Sequence, residues 1–107
     1  MGDPDQEEPV PTYVNLLNWT DQGIRTFRET VDRVDAAEST FGKLGVRLKD
    51  IYWTSGQYDI VAVTEAKDDE SGVAALLALG AQGNVRSSTL RAYTRDEMAR
   101  VIAKLVV

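Results

Sequence analysis

The chain has 107 residues, a formal net charge of −5, and neither cysteine nor histidine. That length suits one domain with a single hydrophobic core. The composition excludes disulfides, thiolate metal sites, thiol nucleophiles and every role that needs an imidazole. Any catalysis would run on carboxylates, tyrosines, lysines, arginines or backbone dipoles.

The charge is unevenly placed. Residues 1–11 hold Asp3, Asp5, Glu7 and Glu8, no basic side chain, and all three prolines, Pro4, Pro9 and Pro11. Such a segment has little to bury and is expected to be a disordered acidic tail, a candidate docking element for a protein partner. The domain proper, residues 12–107, carries twelve basic and thirteen acidic side chains. This near-neutral balance lacks the basic footprint of a nucleic-acid binder. No signal-peptide core or membrane-length apolar run is present, so a cytoplasmic protein without membrane association is expected.

After Pro11, the β-prone run Thr12 to Asn18 predicts a first strand. Thr20 or Asp21 can cap a helix by accepting free backbone N–H groups. Ile24, Phe27, Val31, Val34, Phe41 and Leu44 recur at helical spacing, predicting one long amphipathic helix that frays at Gly42 and Gly45. Val46 to Thr54 and Tyr58 to Glu65 read as two strands of a hairpin around Ser55-Gly56-Gln57, where Gly56 supplies a backbone conformation other residues resist. Asp68, Asp69 and Glu70 open a second helix, where negative charge suits the helix N-terminus; as a metal site they are disfavoured, because consecutive positions diverge on a helix. An alanine-rich body, Val73 to Leu79, follows, ended by Gly80 and Gly83. Val85 to Tyr93 predicts a fourth strand. Thr94 and Glu97 form a capping box that opens a last helix, with Met98, Val101, Ile102 and Leu105 expected inward.

The order β-α-β-β-α-β plus a terminal helix predicts an α+β, ferredoxin-like sheet with two helices on one face. In the third strand Ile60 and Ala62 alternate with Val61 and Val63, so both faces are apolar. Two helices cover only one. A second copy covering the other gives a homodimer with its sheets face to face, a dimeric α/β barrel. The alternative is that the terminal helix folds over the open face.

Several blocks resemble the GYD-domain family of small prokaryotic proteins. They are Tyr13-Val14, Trp19-Thr20-Asp21-Gln22-Gly23-Ile24, Arg33 and Lys49-Asp50-Ile51-Tyr52-Trp53-Thr54. The signature Gly56-Gln57-Tyr58-Asp59 follows, then Gly83-Asn84-Val85-Arg86 and Thr89-Leu90-Arg91-Ala92. The resemblance covers roughly residues 12–100 and implies a dimeric ferredoxin-like domain. It transfers no reaction.

The chemistry-bearing candidates gather around the hairpin. Trp19, Tyr52, Trp53 and Tyr58, with Arg86 to orient an anionic group, are the ligand-binding candidates. Each also has a plain structural use, in the core, in an interface or in an ion pair. Asp59 is the one catalytic candidate, as a general acid or base; its alternative role is to accept backbone N–H groups of the turn. By strand parity Tyr58 and Asp59 are expected on opposite faces, as are Arg86 and Arg91. No phosphate loop, cofactor motif or metal set is present.

Two functions follow. One is a homodimeric small-molecule-binding module for sensing, carriage or regulation, with a sheet-lined cavity. The other is a cofactor-independent enzyme using Asp59 or a tyrosine for proton transfer.

Overall fold

Four strands hydrogen-bond into one antiparallel sheet in a computed structural model that describes residues 10–105. The strands are β1 (Thr12–Trp19), β2 (Val46–Trp53), β3 (Ile60–Ala66) and β4 (Val85–Ala92), in the spatial order β2-β3-β1-β4. The helices are α1 (Asp21–Arg25), α2 (Thr30–Lys43), α3 (Asp69–Ala81) and α4 (Arg95–Ala103). The predicted α+β architecture is therefore present, with an arrangement compatible with the ferredoxin-like fold. The expected tail falls largely on residues 1–9, outside the described residues; Pro11 is tied down, its carbonyl accepting the Ala66 N–H at 3.0 Å.

Pleat and register settle the two faces. Tyr13, Asn15, Leu17 and Trp19 on β1 point with Ile60, Ala62, Thr64 and Ala66 on β3 toward α2 and α3. Val14, Leu16, Val61 and Val63 point the other way. Strand β2 changes parity partway. Its register shifts between Leu48, opposite Thr64, and Asp50, opposite Val63. This bulge at Lys49 turns Ile51 and Trp53 inward and leaves Tyr52 on the open face beside Val61.

The core divides into two clusters. Phe41, Val46, Ala66 and Ala75 form one, and Leu17, Ile60 and Ala62 the other, with Leu79 packed against both. Asn15, buried between strands, donates to the Ala62 carbonyl and the Thr64 hydroxyl and accepts from Thr89. Its polar groups are thereby satisfied, as a buried amide requires.

Three expectations are corrected. The single long helix is broken into α1, a 3₁₀ turn at Phe27–Glu29, and α2. The break is held by Arg33, which donates to the carbonyls of Gly23 at 3.3 Å and Thr26 at 2.7 Å, while the Thr26 hydroxyl bonds back to Gln22 O. Ile24, Phe27 and Val31 are consequently exposed rather than inward. Second, Tyr58 and Asp59 lie before β3, in a six-residue connection over 54–59, so strand parity does not govern them. Gly56 there has φ of +137°, which fits its expected role. Third, α4 buries none of its residues. Met98, Val101, Ile102 and Leu105 stand exposed, Leu105 at 66 %, because α4 makes few contacts with the sheet or the other helices among the described residues.

Among the described residues no helix is long and apolar enough to cross a membrane.

Candidate functional site

At the Trp19 end of the sheet, four chain segments are locked together by backbone groups. The Thr20 side chain caps α1 by accepting the Gly23 N–H at 3.1 Å and donates to the Gly83 carbonyl at 2.5 Å. Thr20 N–H donates to Asn84 O, and the Gln22 amide donates to Gln82 O and Asn84 Oδ1. Gly23 has no space for a side chain, since a Cβ would lie 1.9 Å from Asn84 O. Gly83 turns the chain with φ of +83°.

The hairpin joins the same end. Asp59 accepts the Trp19 N–H through Oδ2 at 2.9 Å, and its own N–H donates to Leu17 O. Thr54 donates its N–H to Asp59 O and its hydroxyl to Tyr58 O. Trp53 donates its indole N–H to the Thr30 hydroxyl at 3.0 Å, tying the hairpin to the start of α2.

These anchors surround the mouth of a partly open cavity of about 200 Å³ beneath α2 and α3. Its body is apolar, with Leu17, Ile51, Ile60 and Leu79 in the wall. Small residues in the wall leave the space: Ala62 of β3, Ala37 of α2 and Ala78 of α3 all line it. A second cavity of about 250 Å³ continues toward Tyr13 and shares Leu17, Phe41, Ala62 and Leu79 with the first. A dry void of the first cavity's size would cost on the order of 5 kcal/mol, a large part of a small domain's stability.

The polar lining is concentrated at the Trp19 end, in Thr30, Arg33, Gln82 and Asn84. Trp19 itself lines the cavity, and its indole N–H is buried without an acceptor among the described residues. Leaving a buried donor unpaired costs about 1–3 kcal/mol.

The candidates named from the sequence therefore separate. Trp19 lines the cavity and Trp53 braces it at Thr30. Tyr58 and Asp59 belong to the connection that holds the strand ends. Tyr52 and Arg86 lie on the open face, on the outer strands β2 and β4. Three strand spacings part them, about 14 Å, so one chain does not bring them together. Arg91, on the opposite face from Arg86, stacks over Tyr93 at 4.5 Å and faces Glu97 at 3.7 Å. Sequence reasoning did not single out Gln82, Asn84, Ala37, Ala62 or Ala78 as lining residues. The alanine richness of the second helix was the available signal.

At the far end of the sheet the Tyr13 hydroxyl donates to Asp69. Burial, then this bond to a carboxylate, pushes the phenol up to about 12. Asp68 caps α3 by accepting the Ser71 N–H at 2.8 Å, and the Ser71 side chain first and its backbone N–H second hold the Asp68 carboxyl below the usual range. No group of three or more metal-ligating side chains comes together among the described residues.

The open face is the other notable surface. Val14, Leu16, Val61 and Val63 form its centre, half-buried, while Leu90 and Tyr52 at its margins are exposed.

The model of the GYD domain matches residues 13–102. A Thermus thermophilus protein described as "glutamine synthetase and cystathionine beta-lyase binding protein" is 33 % identical over 97 residues, covering 90 % of this chain and 99 % of that protein. No solved structure matches the chain significantly. On the family match and on this full-length likeness, the chain belongs to the GYD domain family.

Proposed function

We propose that this protein is a homodimeric binding module with a regulatory role, one that takes up a small molecule and docks onto metabolic enzymes. The observation that carries the reading is the open sheet face, whose apolar centre is covered by no helix among the described residues. Contiguous exposed apolar surface on a small domain is an interaction surface. A second copy is the natural cover, because an isologous contact closes on itself. The face measures about 26 Å by 19 Å, or roughly 500 Å² per chain. Standard interfaces bury about 800 Å² per partner. The exposed stripe of α4, laid against the partner, supplies the difference.

The Thermus relative is described by the enzymes it binds, glutamine synthetase and cystathionine beta-lyase. Enzymes of these two kinds are the proposed partners here, and further exposed apolar residues on the helical side (Phe27, Val31, Val73 and Leu77) offer them a surface the dimer leaves free. Asp59 is engaged by a backbone N–H at the strand end, which favours binding over acid–base chemistry at that residue.

The test has two parts. Native mass spectrometry of the full chain should give a dimer, and Leu16→Glu, which places a charge at the centre of the face, should give a monomer. Titration calorimetry against glutamine synthetase and cystathionine beta-lyase from the same host should register saturable binding to at least one. A wild-type monomer that also ignores both enzymes would overturn the proposal.

A further inference from the structure

We propose that the cavity beneath α2 and α3 binds a small amphipathic carboxylate, with its anionic head at the Trp19 end and its apolar body along the inner sheet face. The inference deepens the ligand-binding half of the proposed function and does not depend on the dimer or on an enzyme partner.

Size sets the first limit. A cavity of about 150 Å³ accepts benzene. The space here, about 200 Å³ with a second of about 250 Å³ sharing its wall, suits a bicyclic aromatic or a medium-length alkyl chain. The lining sets the second. Apart from Thr40, the polar lining residues stand together around Trp19, so a ligand has one wet end and one dry end.

Charge decides the head group. Arg33 is the one charged residue among those lining the cavity. Its guanidinium bonds to neutral oxygens of Gly23 and Thr26, and its only carboxylate contact among the described residues is Glu29 at 3.5 Å. The Arg33 side chain is 22 % exposed and that of Glu29 is 67 % exposed. Arg33 thus brings a positive charge to the cavity wall whose ion-pair partner is largely in solvent, and a charge so placed favours an incoming anion. Asp59 does not line the cavity and spends its carboxylate on the Trp19 backbone.

The hydrogen-bond inventory agrees. The Trp19 indole N–H is buried with no acceptor among the described residues. Asn84, another lining residue, accepts from Gln22 through Oδ1, which leaves its Nδ2 donors without a hydrogen bond among the described residues. A site with donors in excess calls for a ligand that brings acceptors, and a carboxylate brings two oxygens and no donor.

The test titrates the uniformly ¹⁵N-labelled full chain with sodium octanoate, with octan-1-ol as an uncharged probe of equal length, and with acetate as the head alone. Saturable movement of the Trp19 indole cross-peak is expected with octanoate, at roughly tenfold higher affinity than octanol, and no saturation with acetate. Ala78→Leu, which fills the cavity, should abolish octanoate binding. Arg33→Gln should remove the preference for octanoate over octanol; should that variant fail to fold, the wild-type comparison of the two probes decides the charge claim. Absence of a saturable Trp19 shift, equal affinity for octanoate and octanol in the wild type, or unchanged binding in Ala78→Leu would each overturn the proposal. Native mass spectra on the same samples report the dimer separately, so failure of the cavity and failure of the assembly are read independently.

Discussion

Gly23 shows how little freedom the Trp19 end allows at the level of single atoms. With a Cβ 1.9 Å from Asn84 O, Gly23→Ala must push the α3–β4 connection away from α1. A cost of about 1–3 kcal/mol is expected, read as a lower urea midpoint. Asp59→Ala leaves the Trp19 N–H without its acceptor and should cost about 1–3 kcal/mol, again in the urea midpoint. Tyr13 acts at the opposite end of the sheet and at high pH. Its phenol is raised from 10.0 to about 12, so the folded chain favours the neutral form. The stabilisation is complete below pH 10 and is lost as pH rises toward 12. Thermal melts across that range should show a decline that Tyr13→Phe lacks. Of these residues, Gly56 and Trp19 were legible as special from residue type alone. The demand on Gly23 was not, because it comes from a carbonyl sixty-one positions along the chain.

Elements differ in how far their own sequence determines them. Helix α4 has the capping box read from Thr94 and Glu97, with both reciprocal bonds present. Glu97 is held below the usual carboxylate range, chiefly by the Thr94 backbone N–H. That contribution is present above the ordinary carboxylate range and is lost as pH falls through the depressed value. Thr94→Ala should weaken the helix locally by about 1 kcal/mol. Because α4 buries nothing in its own chain, faster amide exchange over 95–98 with an unchanged melting temperature is expected for the monomeric Leu16→Glu background. The long helix behaved differently. Its apolar spacing was real, yet Arg33 captures the Gly23 and Thr26 carbonyls and breaks it. Periodicity reports which face is apolar; it is blind to a side chain that satisfies carbonyls in place of the next helical turn.

At the scale of the molecule, one bulge decides which of the two adjacent hairpin aromatics joins the cavity side of the sheet and which the open face. Without the shift at Lys49, Tyr52 would point inward with Val46 and Leu48, and Trp53 would lie on the open face. With it, Trp53 reaches Thr30 and Tyr52 joins the open face, where the dimer contact is proposed. Leu16→Glu therefore tests assembly without touching the cavity: loss of the dimer should leave octanoate binding intact. Alternation in β3, the capping residues, the element order and the two apolar sheet faces were all determined by local sequence, since each depends on residue type and on spacings of two to four positions. The broken helix, the bulge, the alanine-lined cavity and the uncovered stripe of α4 were decided only by tertiary structure. Each of those depends on which distant group arrives beside the residue, and no local period encodes that.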